Sequence, residues 1–199
     1  MLKALAFTAA IALAMPALAN PTVGQPAPAF RLVDSNGKAR SLAEFKGKTV
    51  VLEWTNADCP FVKKHYAGNM QALQKSAAKG GIVWLTINSG APGKQGHVDG
   101  VGANAIIKAK GAAPAAYLLD ATGDVGRAYA AKTTPHMYIV DPGGKLVYQG
   151  GIDDTPTADV ADIKTAKNYV TAALADLKAK RAVQTASSKP YGCSVKYAG

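Results

Sequence analysis

Cys59 stands at the junction of two different runs. Before it comes Val50-Val51-Leu52-Glu53-Trp54, rich in strand formers; after it comes Pro60-Phe61-Val62-Lys63-Lys64-His65-Tyr66, which opens a helix. A cysteine there meets the unpaired N–H groups of a first helical turn, which favour a thiolate and lower the thiol pKa. Pro60 suits the first helical position, where a missing N–H removes nothing. The thiolate is the species that attacks disulfides and peroxides. Asp58, next in the chain, opposes its formation by charge. The plain alternative is a small buried residue with no chemistry, or half of a structural disulfide.

Other residues qualify as partners. Glu53 precedes Cys59 by six residues. Buried on a central strand, it would hold its proton tightly and could exchange a proton with the thiol, directly or through water. His65 lies about 9 Å along the helix from Cys59, so packing or capping suits it better than contact with the thiol. Cys193, the second of the chain's two cysteines, sits in Lys189-Pro190-Tyr191-Gly192-Cys193-Ser194-Val195. The chain between Lys180 and Cys193 could extend some ~40 Å, so reach permits contact with Cys59. Cys193 is then either a resolving thiol or a staple, and a staple closing so long a loop would contribute ~4–5 kcal/mol in the entropic model.

A second informative stretch is Thr133-Thr134-Pro135-His136-Met137-Tyr138-Ile139-Val140, where a proline directly opens an apolar strand. Strand neighbours alternate, which leaves open whether His136 faces the cysteine.

Taken together, strand, Glu, aromatic, loop, Cys-Pro and helix resemble the active-site region of the thioredoxin superfamily. Asn56-Ala57-Asp58-Cys59-Pro60-Phe61-Val62-Lys63-Lys64-His65-Tyr66 resembles the redoxin group, the alkyl-hydroperoxide-reductase and thiol-specific-antioxidant relatives. Two departures matter. The dithiol form of the superfamily has a second cysteine where this chain has Val62, so a local disulfide is impossible. The peroxiredoxin pattern wants Thr or Ser where this chain has Asn56, and Pro where it has Leu52. The resemblance implies a cis peptide bond before Pro135, packing of that proline beside Cys59, and a Thr134 backbone presented to substrate. It implies a central mixed sheet flanked by helices. It also raises the expectation that the terminal Gly192-Cys193 takes part in the chemistry.

The rest of the chain supplies the scaffold. Met1-Leu2-Lys3, the apolar run from Ala4 and the Ala17-Leu18-Ala19 ending read as a signal peptide over 1–19. That reading makes the mature protein periplasmic or secreted, in an oxidising compartment where cysteines tend to pair. Losing Lys3 lowers the formal charge from +10 to +9. The remaining lysines are scattered, without runs or interleaved aromatics, which argues against nucleic acid and for general surface solubility. With 48% hydrophobic residues the chain can bury a real core.

Residues 20–180 read as one α/β domain. Ala29–Asp34 alternates as a strand, Asn36-Gly37 makes a hairpin turn, and Ser41 with Glu44 suggests a capping box. These form an N-terminal hairpin extension. Val62, Tyr66, Met70, Leu73 and Ala77 fall at helical spacing and predict one amphipathic helix ending at Gly80-Gly81. Ile82–Asn88 is a buried strand that completes a right-handed βαβ unit. A weaker helix over Asp99–Lys110, a strand near Ala115–Leu119, a short helix, a hairpin at Pro142–Lys145 and a final helix over Asp159–Lys180 follow. The tail at 181–199 reads as polar and outside the core.

The leading reading is therefore an exported thiol oxidoreductase that reduces a disulfide or a peroxide. Cys59 would be its nucleophile, Cys193 or an external thiol its resolver, and Glu53 its proton manager, with Pro60, Thr134 and Pro135 shaping the site. No bound cofactor is required, and reducing equivalents come from a partner thiol protein. Two other readings remain. Cys59, Cys193 and His65 or His136 could form the soft ligand set of a copper chaperone. Alternatively, Cys59–Cys193 is a structural disulfide in a non-catalytic domain.

Overall fold

A computed structural model describes residues 20–199; the leader assigned to 1–19 lies outside them. The strands are β1 (Arg31–Asp34), β2 (Ala39–Ser41), β3 (Val50–Trp54), β4 (Val83–Asn88), β5 (Ala116–Leu119), β6 (Thr133–Thr134), β7 (His136–Val140), β8 (Leu146–Gly150) and β9 (Cys193–Ser194). The helices are α1 (Pro60–His65), α2 (Asn69–Lys79), α3 (Gly100–Lys110), α4 (Asp124–Ala128) and α5 (Tyr169–Lys178). Seven strands form one sheet in the order β2-β1-β5-β4-β3-β7-β8. β3, β4 and β5 run parallel, while β7 is antiparallel to β3, β8 to β7, and β1 to both β5 and β2. This is the mixed α/β sheet that the sequence predicts, with the N-terminal hairpin built onto its edge.

β3 lies inside the sheet and is buried along its whole length. Its side chains alternate between two cores, which is why apolar residues stand on both of its faces, interrupted only by Glu53. Val50, Leu52 and Trp54 pack with Phe30, Leu85, Ile87, Tyr129 and Tyr138. Val51 faces the other side with Met70 and Ala77 of α2, Trp84, Ile139, and Val170 and Ala173 of α5. The end of β3 is thereby fixed from both faces, and the loop carrying Cys59 leaves a rigid base.

The structure departs from the sequence reading in four places. The helix predicted as continuous after Cys59 is two helices, because Gly68 takes φ +132°, a conformation that side-chain-bearing residues rarely adopt. Ser41 makes no side-chain cap; Glu44 bonds Arg40 at 2.8 Å instead, and the segment Leu42–Phe45 is a 3-10 turn. The final helix divides into a 3-10 turn at Val160–Lys164 and α5, each opened by its own cap, Asp159 and Asn168.

The fourth departure is the tail, which packs against the domain instead of standing apart from it. At the open edge of β8, Gln149 N–H donates to Ala186 O and Gln149 O accepts the Ser188 N–H, both at 3.1 Å. β9 pairs antiparallel with β6, with Thr134 opposite Cys193. Beyond it, Ala91 N–H donates to Lys196 O at 2.8 Å, and the Tyr197 hydroxyl donates to Ala131 O at 2.7 Å. Among the described residues no helix is long and apolar enough to cross a membrane.

Candidate active site

Cys59 is the N-cap of α1, with Pro60 at the first helical position. Asn56 shapes the loop before it: its carbonyl accepts the Cys59 N–H at 3.0 Å, and its side-chain oxygen accepts the Asp58 N–H at 2.9 Å. Asp58 itself is exposed, whereas Cys59 is fully buried. The Thr134–Pro135 bond is cis. Thr134 O accepts the Cys59 thiol at 3.1 Å. Since Thr134 is also the ladder partner of Cys193, the tail is placed directly over the thiol. The Cys193 N–H donates to Cys59 Sγ at 3.4 Å, and the two thiols are in hydrogen-bond contact. Both cysteines are free.

The approach of the tail depends on Gly192. A Cβ there would lie 2.0 Å from Thr134 O, and its φ of +123° is itself rarely open to L side chains. Only glycine lets Cys193 come this close.

The two thiols are driven apart in acidity. Burial pushes the Cys59 thiol up, but bonds from the Cys193 thiol, the Cys193 and Val62 N–H groups and the Thr134 hydroxyl outweigh it, and the net direction is down. Cys193 is pushed up to about 11 by burial, by its bond to Cys59 and by the negative charge on Cys59. Cys59 is thus the more acidic thiol of the pair and Cys193 the donor.

Glu53 is also fully buried, on the face of β3 that looks toward α2. Its carboxylate accepts the Tyr66 hydroxyl at 2.9 Å, Trp84 Nε1–H at 2.8 Å, the Thr86 hydroxyl at 3.0 Å and Gln74 Nε2–H at 3.3 Å. Neither oxygen bonds Cys59, so the structure does not bring these two residues into direct contact. Burial raises the Glu53 pKa against the lowering effect of its four donors. The native state then holds the Glu53 proton longer than the unfolded chain does. Unfolding free energy is expected to be undiminished below the ordinary value of 4.5 and to fall as pH rises through the folded value. Urea unfolding at stepped pH should show this slope in the wild type relative to Glu53→Gln, which lacks the titration.

The histidines are occupied elsewhere. His65 Nε2 bonds the Tyr191 hydroxyl at 3.0 Å, and Nδ1 bonds Asn69 at 2.9 Å. His136 Nδ1 meets the Tyr138 hydroxyl at 3.1 Å and the Lys132 N–H at 3.3 Å. Among the described residues no three His, Cys, Asp or Glu side chains gather as a metal set, so the copper arrangement is not assembled. Sequence reasoning gave no role to Tyr191 and Asp153, which hold the tail in place.

Comparison with known proteins fits this geometry. The model of the AhpC/TSA family matches residues 23–149. This chain belongs to the AhpC/TSA family. The AhpC/TSA match ends before the tail, so Cys193 lies outside it. Two solved structures extend the similarity over most of the chain. One is a hypothetical protein from Sinorhizobium meliloti, 28% identical with a TM-score of 0.73 over 91% of this chain and 97% of that one. The other is an uncharacterized conserved protein from Geobacillus kaustophilus, 28% identical with a TM-score of 0.73 over 89% and 93%. The thioredoxin domain of a thiol-disulfide oxidoreductase from Bacteroides vulgatus shares the fold, at 22% identity and a TM-score of 0.53 over 72% of this chain and 96% of that one. No curated protein matches. The AhpC/TSA chain therefore has a thioredoxin-like fold, with a cysteine at the start of α1 beside a cis-proline.

Proposed function

We propose that this AhpC/TSA protein is an exported two-cysteine thiol oxidoreductase in which Cys59 attacks a disulfide and Cys193 resolves the product. The observation that supports it is the β6–β9 pairing, which sets the Cys193 thiol and N–H on the Cys59 sulfur. Cys59 is wholly covered in this arrangement, so substrate entry requires the tail to lift.

With the tail lifted, the Cys59 thiolate attacks one sulfur of the substrate. A Cys59 S–S bond forms, the substrate S–S bond breaks, and the departing thiolate takes up a proton. The tail then returns. Two of the three influences that raise the Cys193 pKa, its bond to Cys59 and the charge on Cys59, disappear once Cys59 is oxidised. Cys193 can then ionise, attack the Cys59 sulfur and expel the second substrate thiolate. Two electrons have passed from the cysteine pair to the substrate, and an external thiol protein restores them. Peroxide would follow the same course. Cys59 attacks one oxygen, the O–O bond breaks, an alcohol or water leaves, and Cys193 closes the disulfide on the sulfenic acid with loss of water. Pro60, Thr134 and Pro135 shape the pocket around the sulfur. Glu53 acts at one remove, by accepting from and so fixing Tyr66, the residue that ends α1.

Cys193→Ser separates the steps. The variant is expected to stop as a Cys59 mixed disulfide, or as a sulfenic acid with peroxide, and to lose steady-state turnover by more than about tenfold. Trapping by alkylation and intact mass reads the outcome. A variant that turns over like the wild type would remove Cys193 from the cycle.

A further inference from the structure

The helix that presents Cys59 at its first end holds the tail at its other end. His65 is fully buried at the C-terminus of α1, and Asp153 is 3% exposed in the segment after β8. Tyr191, two residues before Cys193, reaches between them. Its hydroxyl donates to Asp153 Oδ1 at 2.5 Å and meets His65 Nε2 at 3.0 Å. Since the phenol proton goes to Asp153, the phenol oxygen accepts from Nε2–H, and Nδ1 accepts from Asn69 at 2.9 Å. A neutral His65 satisfies every partner in this chain. Its environment favours the neutral form: burial holds it down to about 4, opposed by Asp153 and aided by Lys64. The ring of Tyr191 packs edge-on against Phe61 with centroids 5.8 Å apart. Lys64, also buried, donates to Thr155 O at 2.9 Å and pins the segment that carries Asp153.

The chemistry of this contact suits a part that docks and leaves. When Tyr191 withdraws, His65 Nε2–H and the Asp153 carboxylate can take water in its place, so release does not strand a buried charge. A large apolar plug would hold the tail permanently.

We propose that Tyr191, gripped by His65 and Asp153, is the positioning residue that sets how much of the time Cys193 rests on Cys59. This rests on the reading of Cys193 as the resolving thiol. The grip fixes the effective concentration of one thiol at the other and, by the same equilibrium, how often Cys59 opens to substrate.

The test is redox equilibration of the protein without its leader, wild type and Tyr191→Phe, in graded glutathione buffers, with alkylation and mass readout of both thiols. In the reaction measured, two protein thiols reduce one glutathione disulfide to two glutathione thiols. Phenylalanine keeps the ring contact with Phe61 and loses only the hydroxyl. A hydrogen bond to a charged group has a strength corresponding to roughly tenfold or more, so the equilibrium should move about tenfold toward the dithiol, ~30 mV for a two-electron couple. Alkylation of reduced Cys59 should quicken as well, by a smaller factor, because the docked fraction falls tenfold only where the open fraction is already substantial. Asp153→Asn keeps an acceptor and loses the charge; it should shift both readouts the same way, the redox equilibrium by about threefold, and it serves if Tyr191→Phe folds poorly. A merely structural tyrosine would lower the melting temperature and leave the potential where it was. Pairing in the wild type with an unshifted potential in the variants overturns the positioning role alone. Failure of the wild-type cysteines to pair in any buffer overturns the resolving-thiol reading, and this proposal falls with it.

Discussion

Cys59→Ser is expected to lower disulfide or peroxide reduction by at least about a thousandfold, with little change in stability. A hydroxyl at this position stays protonated at neutral pH, and the hydrogen bonds that draw a thiol down cannot make an alkoxide of it. Serine still fits the site. Its hydroxyl can donate to Thr134 O where the thiol does at 3.1 Å, and it can accept the Cys193 N–H. The β6–β9 pairing is made by backbone and does not involve the sulfur. The variant should therefore keep the fold and the docked tail while losing chemistry. Turnover with a small aromatic disulfide and with hydrogen peroxide, set beside a urea unfolding curve, checks both halves. Activity near the wild type would place the reaction at another group. Loss of stability equal to the loss of activity would favour the structural-disulfide reading.

Gly192→Ala is expected to detach the tail and to cut Cys59–Cys193 disulfide formation by about a hundredfold, the order given by a few kcal/mol of backbone strain. The added methyl would meet Thr134 O at 2.0 Å and Thr134 C at 2.8 Å, both backbone atoms of β6 immediately before Pro135. Neither can give way without moving the residue that also accepts the Cys59 thiol. The easier relief is to part β9 from β6, which takes the Cys193 N–H off the Cys59 sulfur. These two strands form a separate two-stranded ladder outside the seven-stranded sheet, so the main core is untouched. The variant should then melt close to the wild type, alkylate faster at Cys59, and accumulate mixed disulfide as Cys193→Ser does. Quenched-flow alkylation after a pulse of disulfide measures it. Normal closure of the disulfide in Gly192→Ala would mean that Cys193 reaches Cys59 by a geometry other than this ladder.

The parts of the fold that were legible are those written in local pattern. β3 and β4 read as buried strands because both faces of the sheet are covered. The Cys59 loop was readable because strand, cysteine, proline and helix follow one another without interruption. The break between α1 and α2 was hidden because Val62, Tyr66, Met70 and Ala77 keep helical spacing across it; Gly68 was the available signal, and it was passed over. Glu53 was placed correctly on the central strand. Its four donors come from the residue after α1, from α2 and from β4, and no local pattern brings Tyr66, Gln74, Trp84 and Thr86 onto one carboxylate.

The tail is the instructive case. Counted by composition, 181–199 is polar and looks detached. Read by period, Tyr191, Cys193, Val195 and Tyr197 alternate with Gly192, Ser194 and Lys196, the signature of a half-buried strand. That alternation would have predicted that Cys193 sits in an extended segment laid on the domain. It would not have said where. The docking place is fixed by Tyr191 between His65 and Asp153 and by Gly192 against Thr134, contacts between residues far apart in the chain.

The most direct test of the account is to oxidise the fully reduced protein with one equivalent of a small disulfide, and to quench with acid and alkylate at the first turnover. Peptide mapping then assigns every thiol. The account predicts an intramolecular Cys59–Cys193 disulfide as the product, preceded by a mixed disulfide on Cys59 alone. A mixed disulfide on Cys193 first, or a lasting adduct on Cys59 with Cys193 still free, would contradict it.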